Sequence, residues 1–308
     1  MWFKQTQILQ LSPALRFDTE ALCDHLQPLT FTPCLPSLPF SCGFVPPLEQ
    51  EDAPLAHGVN GYMLLCLQLE EKILPATVVR QAVEEKAKEI SALRDRKVSQ
   101  KEKYALKDEI IQTLLPRAFS KMSRIYAYVD TKNNWLVLDT VSKPRAEKFL
   151  ELLKKSLPAT SMQPLIATKL TTALTRWLSH ENYPETFTIE KSCVLSDPRK
   201  QSRVIRCQQQ DLSANGIQWI LKDGCEVTQL ALSWREHVQF VLADDFSLRS
   251  IKFQDEVIAQ AKELEPETKQ QQFAADFFIM TEVLSALLKD LAESFIQITE
   301  KEVATAVA

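Results

Sequence analysis

Five glycines in 308 residues narrow what this chain can build more than any other feature. An average chain of that length carries about twenty. Glycine is the residue that lets a backbone approach a phosphate closely or turn through left-handed conformations. With so few, the chain holds neither G-x-G-x-x-G nor G-x-x-x-x-G-K-[ST], so the standard dinucleotide and P-loop sites are excluded. The pair in Gly58-Val59-Asn60-Gly61 imitates the loop of a KH domain. That loop needs helices on both sides, whereas a strand pattern follows here, and the match is discarded.

The rest of the composition is that of a globular protein, 45% hydrophobic and 25% charged. This is enough apolar material for a sizeable core and two or three subdomains, and too much for a disordered chain. No apolar run reaches the roughly 18 residues of a membrane span. Met1 to Gln7 shows no basic stretch followed by an apolar core, so the expectation is a cytoplasmic protein with no membrane partner. Seven cysteines, at positions 23, 34, 42, 66, 193, 207 and 225, form no C-x-x-C pair, and the four histidines do not cluster with them beyond Cys23 and His25. Neither a disulfide framework nor a zinc site follows from that spacing. No metal or cofactor is expected.

Charge is distributed unevenly. The formal net charge is −4, yet Lys86 to Lys107 holds eight Lys/Arg against three acids, a local +5. From Gln254 onward, eleven acids face four lysines, a local −7. Such polarity can aim a protein at a polyanion while limiting indiscriminate adhesion. Two solvated helices of opposite sign would produce the same numbers.

Residues 2–9 alternate as a first strand. Seven prolines between Pro28 and Pro54 then impose irregular structure. Gly61 to Leu69 reads as a buried strand. Pro75 opens a helix to about Arg94, and Ser99 with Glu102 forms a capping box for a second helix that Pro116 stops. Two strands flank Thr131-Lys132-Asn133-Asn134, and helices follow from Pro144 and from about Leu170. Thr186–Val194 and Arg203–Cys207 read as strands joined by a polar loop, and Ser213 as the cap of a short helix. A meander over 226–253 and a helical end striped by Phe273, Phe277, Met280, Leu284, Leu287, Leu288 and Leu291 complete the chain. Hairpins with separate helices, lacking βαβ alternation, predict an α+β fold. The expected organisation is an N-terminal α+β region over 1–74, a basic helical hairpin and linker over 75–122, a second α+β region over 123–253, and an acidic helical region over 254–308.

Catalytic constellations are scarce. Asp244-Asp245 is the nearest pair of carboxylates, but adjacent residues on a turn diverge, and Asp favours turns for local hydrogen bonding. Asp255-Glu256 sits where acids complement a helix macrodipole. His57 has no nameable partner, and Cys66 lies in a core strand. The expectation is therefore a non-enzyme. More telling is Leu114-Leu115-Pro116-Arg117-Ala118-Phe119-Ser120-Lys121-Met122-Ser123-Arg124, read as a linking loop, which carries three positive charges, no acid, and an aromatic between them. Lys and Arg there suit phosphate contact. Phe119 can stack on a base, dock on a partner, or pack beneath the loop.

Several ordered stretches resemble the bacterial RdgC family of recombination-associated proteins. They include Trp2-Phe3-Lys4, Phe31-Thr32-Pro33-Cys34, Val45-Pro46-Pro47, Glu71-Lys72-Ile73-Leu74-Pro75, Leu106-Lys107-Asp108-Glu109 and Leu114 to Ser120. Further on, Gln210-Asp211-Leu212, Thr228 to Leu232, Gln239-Phe240-Val241 and Phe273 to Phe277 fit the same pattern, so the resemblance spans Trp2 to about Leu291.

That resemblance implies a non-catalytic α+β protein whose horseshoe-shaped subunits close as a homodimer into a ring around duplex DNA. Binding would be largely independent of sequence, with single-stranded DNA as a second form, and would restrain RecA-driven strand exchange on the nucleoid. The alternative is an interaction protein acting mainly through direct contact with RecA or another recombination partner. Pro116 to Ser120 match the family motif, which assigns Arg117 to DNA engagement and Phe119 to the dimer interface. The lysine-rich helices match in character, which makes Arg94, Arg96, Lys97, Lys101 and Lys103 DNA-contact candidates, with Lys121 and Arg124 beyond them. Gln210 matches the family's glutamine. Some members carry lysines around Arg206 to Leu212, where this chain has Cys207-Gln208-Gln209-Gln210, a departure that removes Coulomb attraction there.

Overall fold

A computed structural model describes residues 1–14, 18–48 and 52–306. Of the stretches read above, positions 49–51 of the proline-rich segment and 307–308 of the acidic end lie outside the described residues. The chain begins with β1 (Gln7–Ser12), α1 (Thr19–Leu26), β2 (Phe40–Val45), β3 (Ala56–Val59) and β4 (Tyr62–Lys72). Two long helices follow, α2 (Ala76–Arg94) and α3 (Gln100–Leu114), and a 3-10 turn at Leu115–Arg117 leads into β5 (Ser120–Asp130) and β6 (Trp135–Leu138). Next come α4 (Lys143–Ser156), β7 (Ser161–Pro164), α5 (Thr171–His180), β8 (Phe187–Asp197), β9 (Lys200–Gln208) and α6 (Asn215–Lys222). The chain closes with β10 (Glu226–Trp234), β11 (Val238–Ala243), β12 (Leu248–Phe253), α7 (Asp255–Glu263) and α8 (Lys269–Ala306).

The architecture is α+β, built on two antiparallel sheets. The first runs β2-β4-β5-β6-β1-β7, with β3 paired to the remaining length of β4. The second runs β12-β11-β10-β8-β9, which leaves β9 at an edge. The run from Tyr62 to Leu67 is apolar without alternation because β4 is covered on both faces. Tyr62 and Leu64 share a core with α8 and the second sheet, whereas Met63, Leu65 and Leu67 pack with Leu22 of α1 and Phe149 of α4. Phe277, Met280, Leu284, Leu287, Leu288 and Leu291 are all fully buried. Each such side chain contributes about 1.5–3 kcal/mol, so α8 is the apolar spine between the sheets.

One of the scarce glycines stands where no side chain fits. A Cβ on Gly43 would stand 2.4 Å from the Phe31 backbone, because β2 is flanked there by the returning chain.

Four local expectations are corrected. The first strand starts at Gln7, not Trp2. Residues 1–6 instead splice the sheets, with Phe3 in the core, Thr6 and Leu248 exchanging backbone bonds of 2.7 and 3.0 Å, and Ile251 donating to the Lys4 carbonyl. Pro75 is the N-cap of α2 rather than its first residue. Ser213 does not cap α6; its N–H and hydroxyl both donate to Asp211. The segment read as a loop after Pro116 is mostly strand, since β5 pairs with β4 from Ser120↔Lys72 onward.

Candidate nucleic-acid interface

The basic segment is the helical pair α2–α3. Its apolar positions are sparse: Val79, Val83, Ala87 and Leu106 are buried, and none belongs to either main core cluster. The two helices thus bury their narrow stripes on one another and turn their remaining faces to solvent. The turn between them is tightly specified. Asp95 takes a left-handed conformation, φ 48°, and ends α2. Ser99 caps α3, and Glu102 returns the bond to the Ser99 N–H at 2.8 Å, completing the box. Glu102 also receives a fork from Arg96, at 2.6 and 3.0 Å. That guanidinium first, then the Ser99 backbone and hydroxyl, hold the Glu102 carboxyl far below the usual range.

The fork sorts the predicted cations. Arg96 spends its charge inside the turn, and Lys86 is paired with Glu89 at 2.9 Å. Arg94, Lys97, Lys101 and Lys103 are exposed and make no ion pair among the described residues. They surround the turn as uncompensated positive charge. Lys103 and Lys107 also line, with Arg80, a groove between the helices whose floor is Leu74, Val79, Val83 and Ile111. Its volume is about 510 Å³. Tyr104, 63% exposed, stands in the same groove.

At the arm's root, Arg117 is exposed in the 3-10 turn. Phe119 is 85% exposed, so it does not pack beneath its segment. Its carbonyl accepts from the Ile73 N–H at 2.7 Å, which places it beside another exposed apolar residue. Lys121 and Arg124 lie three residues apart on β5 and therefore project to opposite faces of the sheet. Lys121 pairs in register with Glu71, whose carboxyl is lowered first by Lys148 at 2.6 Å and further by Arg145 and Lys121. Arg124 donates to Gln68 at 3.4 Å. Gln210 is exposed on the other sheet, just past β9, with its N–H bonded to the Lys191 carbonyl at 3.1 Å. The structure therefore groups Arg94, Lys97, Lys101 and Lys103, and separates them in sequence and in sheet from Gln210.

Sequence reasoning missed Arg145, which anchors the base of β5 by donating to Ser123 Oγ at 3.3 Å and to the Arg124 carbonyl at 2.8 Å. No local motif announces it, because it sits on α4 and its partners are 22 and 21 residues away on β5. Elsewhere, both turn carboxylates have partners, Asp245 within its own turn and Asp244 from a distant segment. Asp245 accepts the Ser247 N–H and hydroxyl at 3.1 and 2.5 Å, and Asp244 faces Lys169 at 3.7 Å. Among the described residues no group of three or more His, Cys, Asp or Glu is placed to hold a metal ion. No described helix is long and apolar enough to cross a membrane.

The family model described as "Putative exonuclease, RdgC" matches residues 1–298. The recombination-associated protein RdgC of Yersinia enterocolitica serotype O:8 / biotype 1B is 36% identical over 295 residues, covering 96% of this chain and 97% of the relative. Proteins of the same name from Yersinia pestis (strain Pestoides F) and Yersinia pseudotuberculosis serotype O:1b show the same identity and coverage.

Proposed function

The chain belongs to the RdgC family, and from that premise we propose that it is a non-catalytic protein that binds DNA without regard to sequence. In this reading two copies form a ring around duplex DNA, on the nucleoid, and restrain RecA by occluding the strand on which its filament grows. The observation that carries it is the cluster of Arg94, Lys97, Lys101 and Lys103 around a rigid turn, free of ion pairs among the described residues. Cations already paired within a protein must exchange partners to bind phosphate; unpaired ones do so by releasing counterions from DNA. Arg117 continues this surface at the arm's root; Lys121 and Arg124, on opposite faces of β5, and Gln210, on the second sheet, are the further contact candidates.

Ring closure is supported by the apolar residues left exposed at one end of the first sheet. Ile73 is 49% exposed, Phe119 85% and Met122 59%, more apolar surface than a solvated sheet end needs. In a two-fold interface the same patch meets itself. The groove between α2 and α3 begins at Leu74, next to Ile73, so a partner's phenylalanine has an apolar seat within reach of the symmetry.

The description "Putative exonuclease, RdgC" favours a second reading, hydrolysis of DNA ends. One experiment separates the readings. Labelled duplex and single-stranded DNA are titrated across a salt series, with magnesium or manganese present, and the products are run on a gel. Intact DNA and log affinity falling linearly with log salt support occlusion. Metal-dependent shortening of the label supports the nuclease. A third arm, RecA binding measured without DNA, tests direct contact with the recombinase; retained RecA inhibition after DNA affinity is abolished would favour that mechanism over occlusion.

A further inference from the structure

The edge of the second sheet holds chemistry that DNA binding does not use. Cys193 on β8 and Cys207 on β9 are direct cross-strand partners, so their side chains stand next to one another on one face of the sheet. Both are buried, with 3% and 7% of their surface exposed. Directly opposed residues of an antiparallel pair hold their Cα atoms about 4.5–5.5 Å apart, within the span a disulfide bridges. The register thus brings the two thiols to neighbouring positions on one face of the sheet. Among seven cysteines without a sequence motif, this register makes a dithiol.

We propose that Cys193 and Cys207 are a two-electron redox site that closes a disulfide across β8 and β9 when it meets a small peroxide. The reaction starts at Cys207, which lies on the edge strand and is the more exposed of the two. Burial pushes the Cys193 thiol up and holds it protonated. The Cys207 sulfur, as thiolate, attacks one peroxide oxygen and breaks the O–O bond. This forms a sulfenic acid and a hydroxide, which takes up the proton lost by Cys207. The Cys193 sulfur then attacks the sulfenic sulfur. The S–S bond forms, and hydroxide departs with the Cys193 proton as water. Two thiols lose two electrons, and one peroxide is reduced to two waters. Access favours a small oxidant, because neither sulfur is open enough for a bulky one.

The bond would act on β9. An edge strand is held on one side only, so its opening is the easiest local unfolding in a sheet. The strand ends at Gln208 and leads directly into Gln209 and Gln210, the latter bonded back to Lys191. A disulfide at Cys207 pins this end of β9 to β8 and holds the glutamine turn in place.

The test uses the full chain. It is treated with hydrogen peroxide, its free thiols are blocked, and it is digested without reduction for mass spectrometry. The expected result is a linked Cys193–Cys207 peptide lighter by two hydrogens and restored by dithiothreitol. Amide exchange along β9 should slow about hundred-fold in the oxidised protein, as expected for closing a loop of about 15 residues. Cys193→Ser should leave Cys207 as a sulfenic acid that dimedone traps when the oxidised protein is unfolded in its presence. Both thiols remaining open to alkylation after peroxide, linkage of either to Cys225 or another cysteine, or unchanged exchange on β9 would overturn the proposal. The peptide map of the unmodified sequence stands even if a serine variant fails to fold.

Discussion

Arg96 and Glu102 close the turn between the two basic helices with a forked ion pair of 2.6 and 3.0 Å. One of the eight cations in the basic segment is thereby made part of the scaffold that presents the others. Arg96→Ala removes the fork and leaves Glu102 bonded only to Ser99. The expected outcome is faster amide exchange at the ends of α2 and α3 with little change in the global melting temperature, because the pair is exposed and lies outside both cores. DNA affinity should fall less than for removal of an unpaired lysine in the same turn. A drop equal to that of Lys97→Ala would mean that Arg96 leaves Glu102 to bind phosphate.

Lys97, Lys101 and Lys103 supply the attraction for DNA in this reading. Reversing all three to glutamate should weaken DNA binding strongly and flatten its salt dependence, by about 0.9 in the log–log slope for each phosphate no longer neutralised. Surface substitutions of this kind usually shift stability by under about 0.5 kcal/mol each, so circular dichroism and melting should stay near those of the parent. An unchanged affinity in the folded triple variant would place the binding face elsewhere.

Asp139 links the first strand's entry to pH. Burial pushes its carboxyl up to about 6, although backbone N–H groups of Lys4 and Gln5 and the charges of Arg145 and Lys4 act the other way. The folded state therefore holds a proton that the unfolded chain releases near its ordinary value of 3.8. In that window the native state binds more protons, so stability falls as pH rises from about 4 to 6 and levels off above. Asp139→Asn keeps an acceptor oxygen for the two N–H groups and removes the charge. It should be more stable than the parent by about 1–2 kcal/mol at pH 7 and nearly equal at pH 4. A difference that does not vary with pH in thermal melts would dismiss this role.

Local signals made much of the fold legible, and long-range ones did not. The capping box at Ser99 and Glu102, the hairpin around Thr131–Asn134 and the stripe on α8 rest on residues within a few positions of each other, and each stands in the structure as its spacing implies. Residues 2–6 alternate like a strand, yet the chain's bonds there run to Leu248 and Ile251, near the opposite end of the sequence. The same holds at the candidate interface. The density of Lys and Arg located the basic arm, but sequence could not separate Arg96 from Lys97, because only the folded turn brings Glu102 under one guanidinium. Nor does the spacing of Cys193 and Cys207 carry a signal; their meeting depends on the register of β8 and β9.

Phe119 separates the ring from simple DNA adhesion. Its side chain is 85% exposed and its backbone is fixed to Ile73, so the ring of the phenylalanine projects from a rigid strand entry rather than a loose loop. Truncation takes little from the folded monomer, since so exposed a side chain packs against little of its own chain. A buried aromatic anchor at a protein interface, in contrast, is worth about 2 kcal/mol or more, and a two-fold interface holds two of them. Phe119→Ala should therefore shift a dimer toward monomer in light scattering, by well over tenfold in dissociation constant, while the melting of the monomer stays close to that of the parent. DNA affinity should fall as a consequence, since an unclosed subunit cannot encircle a duplex. Arg117→Ala, two residues away, should leave the mass unchanged and reduce the salt slope by about one phosphate. A fully dimeric Phe119→Ala protein would remove this residue from the interface, and a monomeric one with undiminished DNA affinity would show that closure is not what holds the duplex.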